Sequence, residues 1–104
     1  LKLYAEQLIL SYLELLVNSR NELSLATVIN VPDRDIDHQS FTHIKHEAAK
    51  RNLSIYQTIL SFITRIRLGG KSYAPPSDNP LTNHIKGLSE FVDVLNKLHS
   101  ILEE

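Results

Sequence analysis

The stretch YLELLVNSRNELSLATVINVPDRDID, residues 12–37, decides the fold because it combines apolar residues at helical spacing with clear stop signals. The polar cluster at residues 18–21 ends the first helix, and Asn21 is of a type that caps the next one. A short apolar helix is therefore predicted over residues 22–29. Pro32 disfavours helical backbone in the residue before it, so this second helix ends there and a small loop follows.

The sequence on either side of this stretch predicts two longer helices. The first helix extends back to Leu1 and ends near Val17, with apolar residues at helical spacing throughout. After the loop, Asp37 is predicted to cap a third helix that runs from about His38 to Arg51.

A fourth helix is predicted from its own start and stop signals. Ser54 and Gln57 have the spacing of a capping box, in which each side chain satisfies a backbone N–H group of the first helical turn. We expect this helix to run to Leu68. Gly69 follows at the place where many helices end in a left-handed residue, which glycine adopts without steric cost.

A last helix is predicted over residues 81–102. Asn79 is a capping residue, and Pro80 suits the first turn, where its missing N–H costs nothing. Gly87 interrupts this helix at about 1 kcal/mol relative to alanine, which indicates close packing at that position. Together these elements predict an all-α single domain of about five helices over residues 1–104.

The composition limits the classes of function that the chain can have. Apolar residues make up 42% and charged residues 22% of the 104, which is ordinary for one globular domain. No cysteine is present, so disulfides and thiolate metal sites are excluded. The formal net charge of −1 argues against strong autonomous DNA binding, which usually needs a basic excess. We see no signal peptide or membrane span, and a chain that lacks methionine is expected to be a fragment.

The opening stretch resembles the start of the 2B region of UvrD-like superfamily-1 DNA helicases. That pattern joins a Tyr-Leu-x-Leu helix to an Ile-Asn-x-Pro-x-Arg-Gly-Ile-Gly loop. The matching residues here are Tyr12, Leu13, Leu15, Asn18, Glu22, Ile29, Asn30, Pro32, Arg34 and Ile36. The two loop glycines do not match, because Asp35 and Asp37 stand in their places.

The resemblance implies that the loop once contacted duplex phosphate. In the helicases the glycine turn presents backbone N–H groups at a helix N-terminus, where an anion is favoured. Asp35 and Asp37 add bulk and negative charge there, so exchanging both for glycine is predicted to strengthen duplex affinity. Arg34 is retained and is a candidate phosphate contact. The alternative is a structural turn with a capped helix and no ligand.

Segments further downstream resemble the PARI family of animals, the PCNA-associated recombination inhibitors. The similar segments are GGKSYAPP at residues 69–76 and HIKGLSEF at residues 84–91, so the resemblance spans nearly the whole chain. It implies a nuclear, helicase-like protein of DNA repair that lacks the ATPase motor. It also implies two partners, the sliding clamp PCNA and a RecA-like recombinase. No clamp-binding peptide is present here, so that peptide is expected elsewhere in the parent chain.

No motif of enzyme chemistry is found. Gly70-Lys71-Ser72 copies the end of a phosphate-binding loop, but the earlier glycine of that motif is replaced by Arg65. The His43–His46 pair lacks the third and fourth ligands of a zinc site. We therefore predict no cofactor, no metal, no catalytic residue and no binding or hydrolysis of ATP.

The candidate surface for DNA or a partner protein is basic. Two successive helices are expected to present parts of this surface together. Long basic side chains suit phosphate or an acidic patch on a protein. The residues of this surface are Arg34, Lys45, Lys50, Arg51, Arg65, Arg67 and Lys71. Three functions stay open: a non-catalytic module of a PARI-like inhibitor of homologous recombination, the 2B segment of a genuine ATP-dependent helicase, and a plain helical interaction module.

Overall fold

The structure is a computed structural model and describes residues 2–103. Leu1, placed in the first helix by its sequence, lies outside the described residues. Five α-helices follow one another, and the described residues contain no strand. The all-α prediction is thus confirmed. The helices are α1 Lys2–Val17, α2 Glu22–Val28, α3 His38–Arg51, α4 Ile55–Gly69 and α5 Ile85–Glu103.

The hydrophobic core is built around α4, which packs on both α3 and α5, while residues 80–84 lie between α3 and α5. α1 packs mainly on α2 and also touches α5, while α3 packs on α4 and α4 on α5. Fully buried apolar side chains come from every helix and from the loop before α3. The largest are Leu15, Leu25, Ile29, Ile36, Ile44, Ile59, Ile63, Leu81, Leu88, Phe91 and Leu95.

The first half of α1 contributes little to this core. Of its sixteen residues only Leu15 is buried, because the helix extends beyond the elements that it packs against. Exposed apolar side chains therefore line α1, and they include Leu3, Tyr4, Ile9, Leu10, Leu13 and Val17. Although α1 is rich in apolar residues, no helix in the described residues is both long enough and apolar enough to span a bilayer.

The predicted starts of α2 and α4 are confirmed by their hydrogen bonds. The Asn21 side chain accepts from the N–H of Ser24 at 3.1 Å and begins α2. Ser54 Oγ accepts from Gln57 N at 3.1 Å, and Gln57 Oε1 accepts from Ser54 N at 3.2 Å, which completes the capping box of α4.

The end of α4 differs from the prediction. Gly69 has φ −75° and is the last residue of the helix, whereas Gly70 takes the positive φ of 58°. The reason lies in Tyr73, whose chain returns against the helix. A Cβ on Gly69 would stand 2.3 Å from Tyr73 Cβ, so Gly69 is needed for this close approach and not for a left-handed turn.

The start of the last helix also differs from the prediction. Residues Pro80–His84 form a 3₁₀ helix, and the α-helix begins only at Ile85. The buried Asn79 side chain accepts from the N–H of Leu81 at 2.9 Å, while Thr82 N donates to Asn79 O at 3.0 Å. These short-range bonds tighten the turn, and they bring Leu81 fully into the core.

Candidate functional site

The loop after Pro32 is folded around one side-chain oxygen. Asn30 Oδ1 accepts hydrogen bonds from the backbone N–H groups of Arg34, at 2.7 Å, and Ile36, at 3.0 Å. Asp35 lies between them with φ 60°, in the left-handed region that favours glycine. The loop therefore keeps the backbone shape that a glycine would adopt, although an aspartate occupies the position.

The side chain of Arg34 points into the protein and is 0% exposed. Its Nη1 donates to the carbonyl oxygens of Val28 and Ile29, both at 3.0 Å, and of Val31 at 3.2 Å. The first two of these carbonyls lie at the C-terminal end of α2, and the third lies in the loop that follows. Nη2 donates to the hydroxyl of Tyr12 at 3.3 Å, and that hydroxyl donates to the carbonyl of Val31 at 2.9 Å.

Helix α5 covers this guanidinium group from the other side. The guanidinium carbon of Arg34 lies over the Phe91 ring, 5.3 Å from the ring centroid. Arg34 Nε is 3.6 Å from Glu90 Oε1, which is the only carboxylate paired with it among the described residues. Gly87 allows α5 to come this near, because a Cβ there would stand 2.4 Å from Arg34 O. The close packing expected at Gly87 is thus confirmed.

These contacts correct the placement of Arg34 on a binding surface. A guanidinium group that is fully enclosed and donates to three carbonyls has no face left for a phosphate. Tyr12, Asn30 and Arg34 all belong to the residues that carry the resemblance to helicases. Three of the residues that resemble the helicases therefore belong to a polar network in the structure, and this network joins α1, the end of α2 and the loop.

Asp37 caps α3 as predicted and makes a pH-dependent contribution to stability. Its carboxylate accepts from the backbone N–H of Ser40 at 2.8 Å, and this bond lowers the pKa of Asp37 below its ordinary value. The Ser40 side chain and the nearby His84 and His38 act in the same direction. Because the pKa is lowered in the folded state, the contribution is present above the ordinary pKa and is lost as the pH falls through the folded one.

We predict that Asp37→Ala lowers the free energy of unfolding near neutral pH, and that this loss shrinks as the pH falls below about 4. Urea unfolding of both proteins at a series of pH values measures the difference. Asp37→Asn is the matched control, because asparagine caps helices as well but does not titrate. A loss that stays constant down to acid pH would contradict the assignment.

The predicted basic residues do not share one face. Lys45 turns towards α2, where its Nζ lies 2.7 Å from Glu22 Oε1. Arg67 turns towards α5, and its Nη2 lies 2.9 Å from Asp93 Oδ1 and 2.6 Å from Ser89 Oγ. Exposed pairs of this kind are worth at most about 1 kcal/mol, but they offset the positive charge that a polyanion would meet.

Lys50 and Arg51 share a single carboxylate. Arg51 Nε lies 2.6 Å from Glu47 Oε2, and Lys50 Nζ lies 3.8 Å from the other oxygen of that group. Glu47 is itself buried, so the pair is fixed at the end of α3. Lys71 is exposed, and no carboxylate is paired with it in the described part of the chain.

Two of the predicted residues do come together, in a cleft of about 320 Å³ beside α4. Arg51 enters it from the end of α3 and Arg65 from α4, as part of one wall with Tyr73. The Arg65 guanidinium carbon lies 5.6 Å from the centroid of the Tyr73 ring. Tyr73 was missed by sequence reasoning. The Gly69–Gly70 pair shortly before it was the available signal, since glycine is used where another part of the chain approaches the backbone closely.

Several known proteins are similar to this chain over nearly its whole length. The protein called PCNA-interacting partner from Rattus norvegicus is 50% identical over 103 residues, which is 99% of this chain and 18% of that protein. Its Homo sapiens counterpart is 48% identical over the same share of both chains. In Danio rerio the identity is 46% over 94 residues, which is 90% of this chain and 16% of that protein. The chain thus spans less than a fifth of the length of these curated relatives.

A weaker similarity reaches a bacterial helicase. The protein named ATP-dependent DNA helicase PcrA, from Staphylococcus aureus, is 33% identical over 51 residues, which is 49% of this chain and 7% of that protein. No protein-family model and no solved structure matches the chain. Along almost its whole length, then, the chain is similar to one segment of the PCNA-interacting partner proteins.

Proposed function

We propose that the chain is a non-catalytic, helicase-like module of a PCNA-associated regulator that restrains homologous recombination in the nucleus. The observation that carries the proposal is the identity of about half of all residues, over nearly the whole chain, with proteins named for their interaction with PCNA. The similarity of about half of the chain to a helicase supports the helicase-like part. Inhibition of a RecA-like recombinase rests on the resemblance to the PARI family.

Protein contacts fit this module better than DNA contacts do. The arginine that the helicase pattern places in the loop is enclosed, so the loop presents Asp33 and Asp35 to solvent. Lys45, Arg51 and Arg67 are each close to a carboxylate. With a net charge of −1, the chain lacks the surplus of cations that counterion release from a phosphate backbone requires.

Deleting the segment that corresponds to this chain from the full-length protein tests the proposal. PCNA capture should persist, since the clamp-binding peptide is expected outside this segment, whereas inhibition of recombinase-driven strand exchange should fall. The isolated chain should hydrolyse no ATP and should not bind PCNA by itself. Strand-exchange inhibition that is unchanged by the deletion would contradict the regulatory role. A full-length protein that fails to bind PCNA would contradict the clamp association.

The helicase similarity supports one alternative, a 2B segment that contacts DNA. In that case, Asp35→Gly with Asp37→Gly should strengthen duplex binding at low salt, because two negative charges leave the loop. The turn is already formed with Asp35 at φ 60°, so the gain is electrostatic only and should vanish at high salt. Fluorescence titration with a labelled duplex measures it, and Asp78→Gly is the control for charge alone. Unchanged affinity in a folded double variant would exclude this alternative.

A further inference from the structure

A continuous groove follows the outer face of α4. The cleft that holds Arg51 adjoins a second, more open cavity of about 620 Å³. Both cavities are lined by Ser61, Arg65 and Tyr73, so they form two halves of one groove. We name it the α4 groove. Gly69 sets its end wall, since only glycine lets Tyr73 pack directly on the helix.

One half of the α4 groove is basic. Among the described contacts, Arg51 uses only its Nε on Glu47, which leaves the four N–H bonds of its two terminal nitrogens. Arg65 has no carboxylate partner in the described residues, and its guanidinium carbon lies 5.6 Å from the centroid of the Tyr73 ring, within the range of a cation–π contact. Two guanidinium groups at the wall of one cleft suit a carboxylate, which arginine binds through paired N–H bonds.

The other half of the α4 groove is apolar. Leu60 and Leu68 line it together with the aliphatic part of Thr64. Leu68 is 84% exposed, so a large apolar side chain lies open to solvent directly beside Arg65. Covering such a side chain stabilises a complex by removing apolar area from water.

The charges around the α4 groove decide which class of ligand fits. Beyond Arg51, the surface carries Lys50 beside Glu47 and Asp78, so its positive charges are offset and form no continuous basic track. A phosphate backbone repeats its charge at every nucleotide and would need such a track. A peptide can place one or two carboxylates at the arginines and an aliphatic side chain at Leu68, so a peptide is the better match.

We propose that the α4 groove binds a short linear peptide in which an acidic residue stands beside an aliphatic one. The carboxylate lies between Arg51 and Arg65, and the aliphatic side chain covers Leu68 and Leu60. This inference is independent of the proposed function, because it rests only on the groove itself.

Selection from a phage-displayed library of random linear peptides tests this inference. The immobilised chain should enrich sequences that pair Asp or Glu with Leu, Ile or Val. For a labelled peptide made from the enriched sequences, Arg65→Glu should weaken binding by about tenfold or more, because it places a negative charge against the peptide carboxylate. Leu68→Ser should weaken it too, while Lys86→Glu on α5 is the charge-matched control and should leave it unchanged.

Several outcomes would overturn the proposal. They are a library without acidic–aliphatic enrichment, a selected peptide that binds Arg65→Glu and Leu68→Ser as tightly as it binds the original chain, and displacement of the peptide by oligothymidylate. Circular dichroism establishes that each variant is folded. Arg65→Gln, which removes the charge without reversing it, gives a second measurement should Arg65→Glu unfold, and it should weaken binding by a smaller factor.

Discussion

Replacing Arg34 with alanine should destabilise the protein by about 2–4 kcal/mol, because it breaks a buried hydrogen-bond network. The substitution removes a donor from the carbonyls of Val28, Ile29 and Val31, and it leaves a cavity below Phe91. Val28 keeps the N–H of Val31 as a donor and Val31 keeps the Tyr12 hydroxyl, so only the Ile29 carbonyl loses its partner among the described hydrogen bonds. Each buried polar group that loses its partner costs about 1–3 kcal/mol. Since domains of this size are stable by only about 5–15 kcal/mol, much of the stability should disappear.

Urea unfolding followed by circular dichroism measures this loss. Arg34→Lys should recover only part of it, because one ammonium group cannot reproduce the planar fork of the guanidinium. The matched control is Arg20→Ala, an exposed arginine for which we expect a change within about 0.5 kcal/mol. A loss below about 1 kcal/mol for Arg34→Ala would mean that the network contributes little to the fold.

Gly87→Ala is expected to be the second most damaging change, at about 1–3 kcal/mol, the usual range for overpacking. Alanine is intrinsically the better helix former by about 1 kcal/mol, so propensity alone predicts stabilisation. The added Cβ, however, would lie 2.4 Å from the carbonyl oxygen of Arg34 and 3.1 Å from its Cβ. A backbone oxygen cannot rotate away, so α5 has to move off the loop.

The control for this change lies on the same helix. Asn96 is exposed on α5, so Asn96→Ala should be neutral or slightly stabilising through helix propensity. Thermal unfolding of both variants therefore separates propensity from the steric clash. A Gly87→Ala protein as stable as the original would contradict the close packing of α5 on the loop.

Local signals predicted most of the secondary structure of this chain. The caps at Asn21, Asp37 and Ser54 satisfy backbone groups within three residues of themselves, so their effect can be derived from spacing alone. The two errors at helix ends arose where a distant residue decides. Gly69 stays helical because Tyr73 returns onto it, and the turn after Asn79 tightens because Leu81 is drawn into the core.

The candidate surface was harder to predict, because a basic residue in a sequence does not reveal its partner. Arg34 belongs to a loop, and an arginine there is expected in solvent. Its burial depends on carbonyls at the end of α2 and on Phe91 of α5, which only the tertiary fold brings together. Arg67 likewise meets Asp93, twenty-six residues further along the chain. Such pairings determine which charges remain available, and composition cannot show them.

The amide oxygen of Asn30 has a consequence for how the loop responds to small anions. It occupies the point at which two backbone N–H groups converge, so the loop behaves as a receptor already filled by its own chain. Inorganic phosphate or sulfate would have to displace an oxygen that is covalently tethered and always present at high effective concentration. Both N–H groups are thereby satisfied without any bound ion, so the fold of the loop should not depend on the concentration of either anion.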